Sequence, residues 1–153
     1  MNAKQMRGFS KLYKVEKQLD NVYHLLAKQI GVSDSVFWTM YCLCEEDCTL
    51  TQNDIAENVG LPKQTINSAI NNLVKDGYIH LEQKAIARNN KAVCLSEKGK
   101  DFCKRHMMPI LLSEERAFER LSEKEQETYL ALSVKVDTLM KECLTELLEE
   151  REE

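Results

Sequence analysis

Long apolar runs are missing from these 153 residues. The longest is a few residues, far short of the roughly 20 that cross a bilayer as a helix, so no membrane span is expected. The opening stretch MNAKQMRGFSK lacks the apolar core of a signal peptide, which makes a cytoplasmic location the expectation. Glycine is scarce, with five residues and no cluster able to wrap a phosphate, and no serine stands in a nucleophile elbow. His24, His80 and His106 form no His-Glu pair at metal-protease spacing. A protein that is not an enzyme and needs no cofactor or metal is therefore expected. Repeats and low-complexity segments are absent as well, while 43% hydrophobic content suffices for one sizeable core.

A surplus of positive charge is also lacking, since the net charge is −4. Its distribution says more than its sum. Residues 1–48 carry 6 basic and 6 acidic side chains, residues 49–105 carry 9 and 6, and residues 106–153 carry 6 and 13. The middle is thus mildly basic at +3 and the last third acidic at −7. That pattern suits a nucleic-acid reader whose terminal helices face away from the phosphates.

Cysteine is the exception to this scarcity. Six are present (Cys42, Cys44, Cys48, Cys94, Cys103, Cys143), yet nothing in the chain points to secretion, so free thiols rather than a disulfide framework are expected. Cys44 and Cys48, four apart, would share a helix face while Cys42 points elsewhere, and no histidine has ligand spacing with them. Thiol redox sensing or metal binding at this trio is the sharper alternative to plain semi-buried thiols.

Apolar residues Leu12, Val15, Leu19, Val22, Tyr23, Leu26 and Ile30 recur at spacings of three and four, giving one stripe on a helix from about residue 4 to Gly31. Ser33 then caps a helix, SVFWTMYCLCEED, bulky enough to be buried on most faces. Thr51 and Asp54 make a capping box with Asp in place of Glu, opening a short helix that Gly60 ends. Pro62 suits the first turn of the next helix, which Gly77 closes. Tyr78 to Lys84 and Ala92 to Leu95 are β-rich and flank the polar tip Arg88-Asn89-Asn90-Lys91. Ser96 caps a further helix, in which Pro109 marks a kink or break before it runs to about Arg120. Ser122 and Glu125 form a second capping box, ahead of Tyr129, Leu132, Val136, Leu139, Cys143 and Leu147 on an amphipathic stripe. The tail Glu149 to Glu153 is a charge run expected to fray.

Two short helices, a strand, a basic tip and a returning strand spell a winged helix-turn-helix. Within its second helix, Ile66, Ala69, Ile70, Leu73 and Val74 form the packed side, set against the Ile55, Ala56 and Val59 face of the helix before. Gln64, Asn67, Ser68, Asn71 and Lys75 then face outward. Amides and hydroxyls can bond base edges, and Lys63, Lys75, Arg88 and Lys91 can neutralise phosphates. An ordinary solvated helix face and a solvated loop are the plain alternatives.

The chain resembles the MarR-type transcriptional regulators through Leu50-Thr51-Gln52-Asn53-Asp54-Ile55-Ala56, Leu61-Pro62-Lys63-Gln64-Thr65-Ile66-Asn67, Gly77-Tyr78-Ile79 and Leu95-Ser96-Glu97-Lys98-Gly99. The resemblance extends over nearly the whole chain. It implies a mainly α fold, with a winged helix-turn-helix at 33–105 between dimerisation helices at 1–32 and 106–153. It also implies a homodimer bound to double-stranded DNA at a pseudo-palindromic operator, acting as a repressor, with Lys63, Gln64, Thr65, Asn67, Ser68, Asn71, Lys75, Arg88 and Lys91 at the DNA. The family's wing carries an Asp-Arg pair; here the stretch is Ala87-Arg88-Asn89-Asn90-Lys91, so the arginine lacks its acidic partner. A pocket for a small aromatic or lipophilic effector is implied too, for which Phe37, Trp38, Tyr41 and Phe102 are candidate lining residues. The family's peroxide sensors hold their cysteine in the first helix, where this chain has none. Two alternatives stay open: a winged-helix module that binds protein, and a regulator that senses thiol oxidation or metal.

Overall fold

The computed structural model describes residues 3–46, 48–83 and 91–151. Helices α1 (Ala3–Ile30), α2 (Asp34–Glu45), α3 (Gln52–Val59) and α4 (Lys63–Lys75) precede strands β1 (Ile79–Gln83) and β2 (Lys91–Leu95). Helix α5 (Glu97–Phe102) runs through a π-turn (Cys103–Met107) into α6 (Met108–Phe118), and α7 (Glu123–Glu149) ends the chain. Residues 1–109 and 110–153 form two compact units. No helix among the described residues is long and apolar enough to cross a membrane.

In the first unit the core gathers around α2. Phe37, Met40 and Leu43 are fully buried against Ile55 of α3, Ile66 and Ile70 of α4, Val93 of β2 and Met107 of the π-turn. Among the described residues one polar side chain shares this interior: Thr39, whose hydroxyl donates to Ser35 O at 2.7 Å and so is paired. Around it Tyr23, Trp38 and Tyr41 ring Phe37 with centroids 5.2–6.4 Å away, the range of favourable tilted and edge contacts.

The helix starts follow the capping chemistry. Ser33 Oγ accepts from Val36 N–H, and the Thr51–Asp54 box is complete, with Thr51 N–H donating to Asp54 Oδ2 at 2.8 Å and Asp54 N–H to Thr51 Oγ1 at 3.3 Å. Pro62 stands one position before α4 rather than inside it, its carbonyl accepting from Thr65 and Ile66 N–H. The Asp54 carboxyl is held below the usual carboxylate range by the Thr51 backbone N–H first and the Thr51 hydroxyl second. A lowered acid stabilises the fold while ionised. Its contribution is complete above the unfolded-chain value of about 3.9 and is lost as pH falls through the lower folded value. Thr51→Ala should therefore cost about 1 kcal/mol at neutral pH, and thermal melts should show that gap shrinking on acidification below about pH 4.

The Pro109 region differs from expectation in form. The helix neither stops nor breaks there; it widens for one turn, with Met108 N–H donating to Cys103 O, just ahead of the proline. Pro109 cannot donate to Arg105 O and its ring crowds that carbonyl, a conflict that one π-turn accommodates.

In the second unit, α6 turns into α7 at a corner where Gln126 Nε2 donates to Phe118 O at 3.2 Å and Leu121 O at 3.1 Å. The Ser122–Glu125 capping box is complete. Neither α6 nor α7 has a buried residue.

Candidate nucleic-acid interface

A tight turn joins α3 to α4. Gly60 takes the left-handed conformation, φ +69°, that a side chain with a Cβ resists, and its N–H and that of Leu61 both return to Ala56 O, closing α3. Ile66, Ala69, Ile70 and Leu73 of α4 are buried against α2 and α3. Val74, expected on that side, is 40% exposed. At about 100° per residue it lies on the rim of the stripe that Ile66, Ile70 and Leu73 centre.

Packing of this side turns the other outward. Lys63, Gln64, Thr65, Asn67, Ser68, Asn71 and Lys75 are all exposed on α4. Ser68 Oγ donates to Gln64 O at 2.9 Å, leaving its lone pairs for an outside donor. Asn71 Nδ2 lies 3.5 Å from Asn67 Oδ1, a weak link across one helical turn that keeps both amides on the same edge. Two lysines bracket this amide row, and no carboxylate interrupts it before Asp76.

The hairpin beside it is antiparallel, with Ile79 opposite Leu95, His80 opposite Cys94, Leu81 opposite Val93, Glu82 opposite Ala92 and Gln83 opposite Lys91. Val93 N–H donates to Leu50 O and Thr51 bridges Ala92, so β2 is held on its other edge by the residues that open α3. Lys91 is exposed at the start of β2. Arg88, the remaining cation assigned to the tip, lies outside the described residues.

Contacts from the start of α5 lock the base of the hairpin to the turn that follows α4. Ser96 N–H donates to Tyr78 O at 2.9 Å, while Ser96 Oγ lies 2.7 Å from Gly77 O and accepts from Gly99 N–H at 3.1 Å. Gly99 is required by this approach, because a Cβ there would run into Tyr78 O. Lys98 Nζ donates to Asp76 O at 2.7 Å and sits 4.1 Å from the Tyr78 ring centroid, joining a helix C-terminus and an aromatic face. Sequence reasoning missed Lys98: its partner is a main-chain oxygen 22 positions back, which no spacing rule reports.

The four aromatic candidates for an effector pocket do not line one cavity: Phe37, Trp38 and Tyr41 pack on one another, and Phe102 stands apart from them. Trp38 and Tyr41 line a 450 Å³ cleft with Glu45, Leu50 and Asn58. Phe102 lines a separate 320 Å³ cleft with Val36, Asn72, Asp76 and Tyr78. Phe37 is fully buried in the core.

The cysteines also depart from expectation. Cys48 and Cys94 form a disulfide across 46 positions, where free thiols were expected. Cys48 does not share a helix face with Cys44, since α2 ends at Glu45 and Cys48 lies in the following turn at φ +62°. Cys42, Cys44, Cys103 and Cys143 take no part in a disulfide. Burial pushes the Cys42 and Cys44 thiols up, aided by Glu45, so little reactive thiolate exists on either at neutral pH.

Residues 41–80 match the family described as winged helix-turn-helix DNA-binding. Among solved structures, a MarR family regulator from Neisseria meningitidis, NMB1585, is 22% identical with a TM-score of 0.77, over 95% of this chain and 99% of that one. A MarR transcriptional regulator from Methanosarcina mazei Go1 is 22% identical with a TM-score of 0.62, over 88% and 98%. The S. aureus MepR–DNA complex gives 21% and 0.66, over 86% and 97%. No curated protein matches the sequence. At these identities the likeness concerns the fold, a mainly α winged helix-turn-helix with long helices at both ends.

Proposed function

We propose that this chain is a MarR-type transcriptional regulator that binds double-stranded DNA through α4 and the hairpin beside it. The observation that carries the reading is the row on α4: eight exposed polar side chains, Asn72 among them, with a lysine at each end and all large apolar residues but Val74 turned inward. Amides in such a row match the adenine N6/N7 pair in the major groove, and the lysines suit flanking phosphates. Comparison with the MepR–DNA complex, whose fold this chain shares, supports the same reading.

The finer parts of the proposal are a homodimer, repression of a pseudo-palindromic site, and release by a small aromatic or lipophilic effector. The homodimer is supported by two unpartnered apolar faces. Leu12, Val15, Leu19 and Val22 of α1 are exposed, as are Leu132, Leu139 and Leu147 of α7. A 27-residue helix with no buried residue gains little from its own chain, and a second copy would supply the missing burial. For half-sites one turn apart, two copies of α4 would then stand about 34 Å apart. For an effector, the cleft at Phe102 is the better placed of the two, since Asn72 and Leu73 of α4 and Asp76 just after it form part of its wall.

A salt titration tests the core claim. Affinity for duplex DNA should fall steeply with salt, and Lys63→Ala with Lys75→Ala should weaken binding across all sequences. With four such contacts per dimer, the slope of log K against log salt should flatten by about 3 to 4. Absence of any retention on random or selected genomic DNA at low salt would instead favour a winged helix that binds protein.

A further inference from the structure

Cys48 and Cys94 sit where the loop before α3 meets the wing. Their disulfide is not solitary. Glu82 Oε2 lies 3.7 Å from Cys48 Sγ, and both sulfurs and the carboxylate lie within 4.8 Å of one another. The other Glu82 oxygen, Oε1, is 3.0 Å from His80 Nε2. Register explains the meeting: His80 stands opposite Cys94 and Glu82 opposite Ala92, so His80, Glu82 and Cys94 share one face of the hairpin. Cys48 reaches that face through its left-handed backbone at φ +62°, a conformation no other described non-glycine residue adopts.

Two thiolates and a carboxylate, with an imidazole hydrogen-bonding partner, are donors that select Zn²⁺ over harder cations. Tetrahedral bonds of about 2.3 Å to sulfur and about 2.1 Å to oxygen put neighbouring ligand atoms about 3.5–3.8 Å apart. The Cys48–Glu82 separation already has this value. The two sulfurs, bonded to each other, are too close, and reduction removes the bond that holds them.

We propose that reduction of the Cys48–Cys94 disulfide opens a site for one Zn²⁺ ion, held by both thiolates and the Glu82 carboxylate, with His80 orienting that carboxylate. A dithiol reductant supplies two electrons and two protons, becoming a cyclic disulfide as the Cys48–Cys94 bond breaks into two thiols. Zn²⁺ then displaces both thiol protons and forms two Zn–S bonds. Disulfide and zinc are alternative staples between the loop before α3 and β2, and the reduced metal-free protein alone is unstapled. This site stands independently of the DNA-binding reading.

The test is Zn²⁺ titration of the full chain against a chromogenic chelator, after dithiol reduction and anaerobic removal of the reductant. The double variant Cys48→Ser with Cys94→Ser keeps the other four thiols and serves as the baseline, with circular dichroism to confirm its fold. Reduced wild-type protein should take up one Zn²⁺ per chain more than this baseline, and the oxidised protein none more. Glu82→Gln, which leaves both cysteines in place, should weaken that ion at least ten-fold. Co²⁺ in place of Zn²⁺ should give a thiolate charge-transfer band in reduced wild type alone. The proposal fails if reduced wild type and baseline bind equally, or if oxidised protein with the Cys48–Cys94 link confirmed by peptide mass mapping binds as well as reduced. It fails too if oxidation leaves those two residues unlinked.

Discussion

Phe37→Ala should destabilise the protein by about 3–5 kcal/mol, because it empties the centre of the core and the surrounding rings cannot collapse fully into the gap. Phe37 has no exposed surface and touches Tyr23, Trp38 and Tyr41 at ring-packing distances. For a domain of this size the loss corresponds to a fall in Tm of roughly 6–20 °C. Trp38→Ala, on the half-buried rim of the same cluster, should cost less. The comparison separates two roles that sequence could not. If Phe37 lined a cleft, truncation would alter ligand response more than stability; as a core residue, Phe37→Leu should leave DNA affinity unchanged while chemical denaturation registers a smaller version of the same loss. A cost under about 1 kcal/mol for Phe37→Ala would contradict the core assignment.

If the chain is the homodimer proposed above, the double change Leu132→Glu with Leu139→Glu on α7 should convert it to a monomer and lower affinity for its DNA site by two to four orders of magnitude. Both residues stand on one face, seven positions apart, 55% and 49% exposed. Placing carboxylates there costs the isolated chain little, so circular dichroism should be preserved. Across a dimer interface the same carboxylates would be buried without partners. The affinity loss follows because one reader contributes a single weak contact surface, whereas two linked readers bind with a high effective concentration for the second half-site. Sizing and operator titration together check this. Retention of the dimer in the variant would place the interface elsewhere.

Much of the fold could be read along the chain because its signals are local. Ser33, the Thr51–Asp54 box, Ser96 and the Ser122–Glu125 box each act within three residues, and each caps the helix expected of it. Likewise the outward row from Lys63 to Lys75 follows from helical period alone, once Ile66, Ile70 and Leu73 are known to face inward. Val74 shows the limit of that rule, since a stripe's edge depends on how far the neighbouring helices reach around. Pro109 shows another: removal of one hydrogen bond was legible, but whether the chain breaks or widens depends on what the helix packs against.

Sequence by itself determined the order of the elements, their caps and the polar face of α4, all governed by interactions between residues a few positions apart. Tertiary structure alone decided which aromatics face a cleft and which fill the core, because burial depends on elements brought together from distant parts of the chain. It alone decided the partner of Cys48 as well. Forty-six positions separate Cys48 from Cys94, and only the hairpin register and the loop beside β2 bring the two sulfurs and Glu82 to one point. Spacing rules find ligands that share a helix or a turn; a site assembled from a loop and two strands is visible only once the strands are paired.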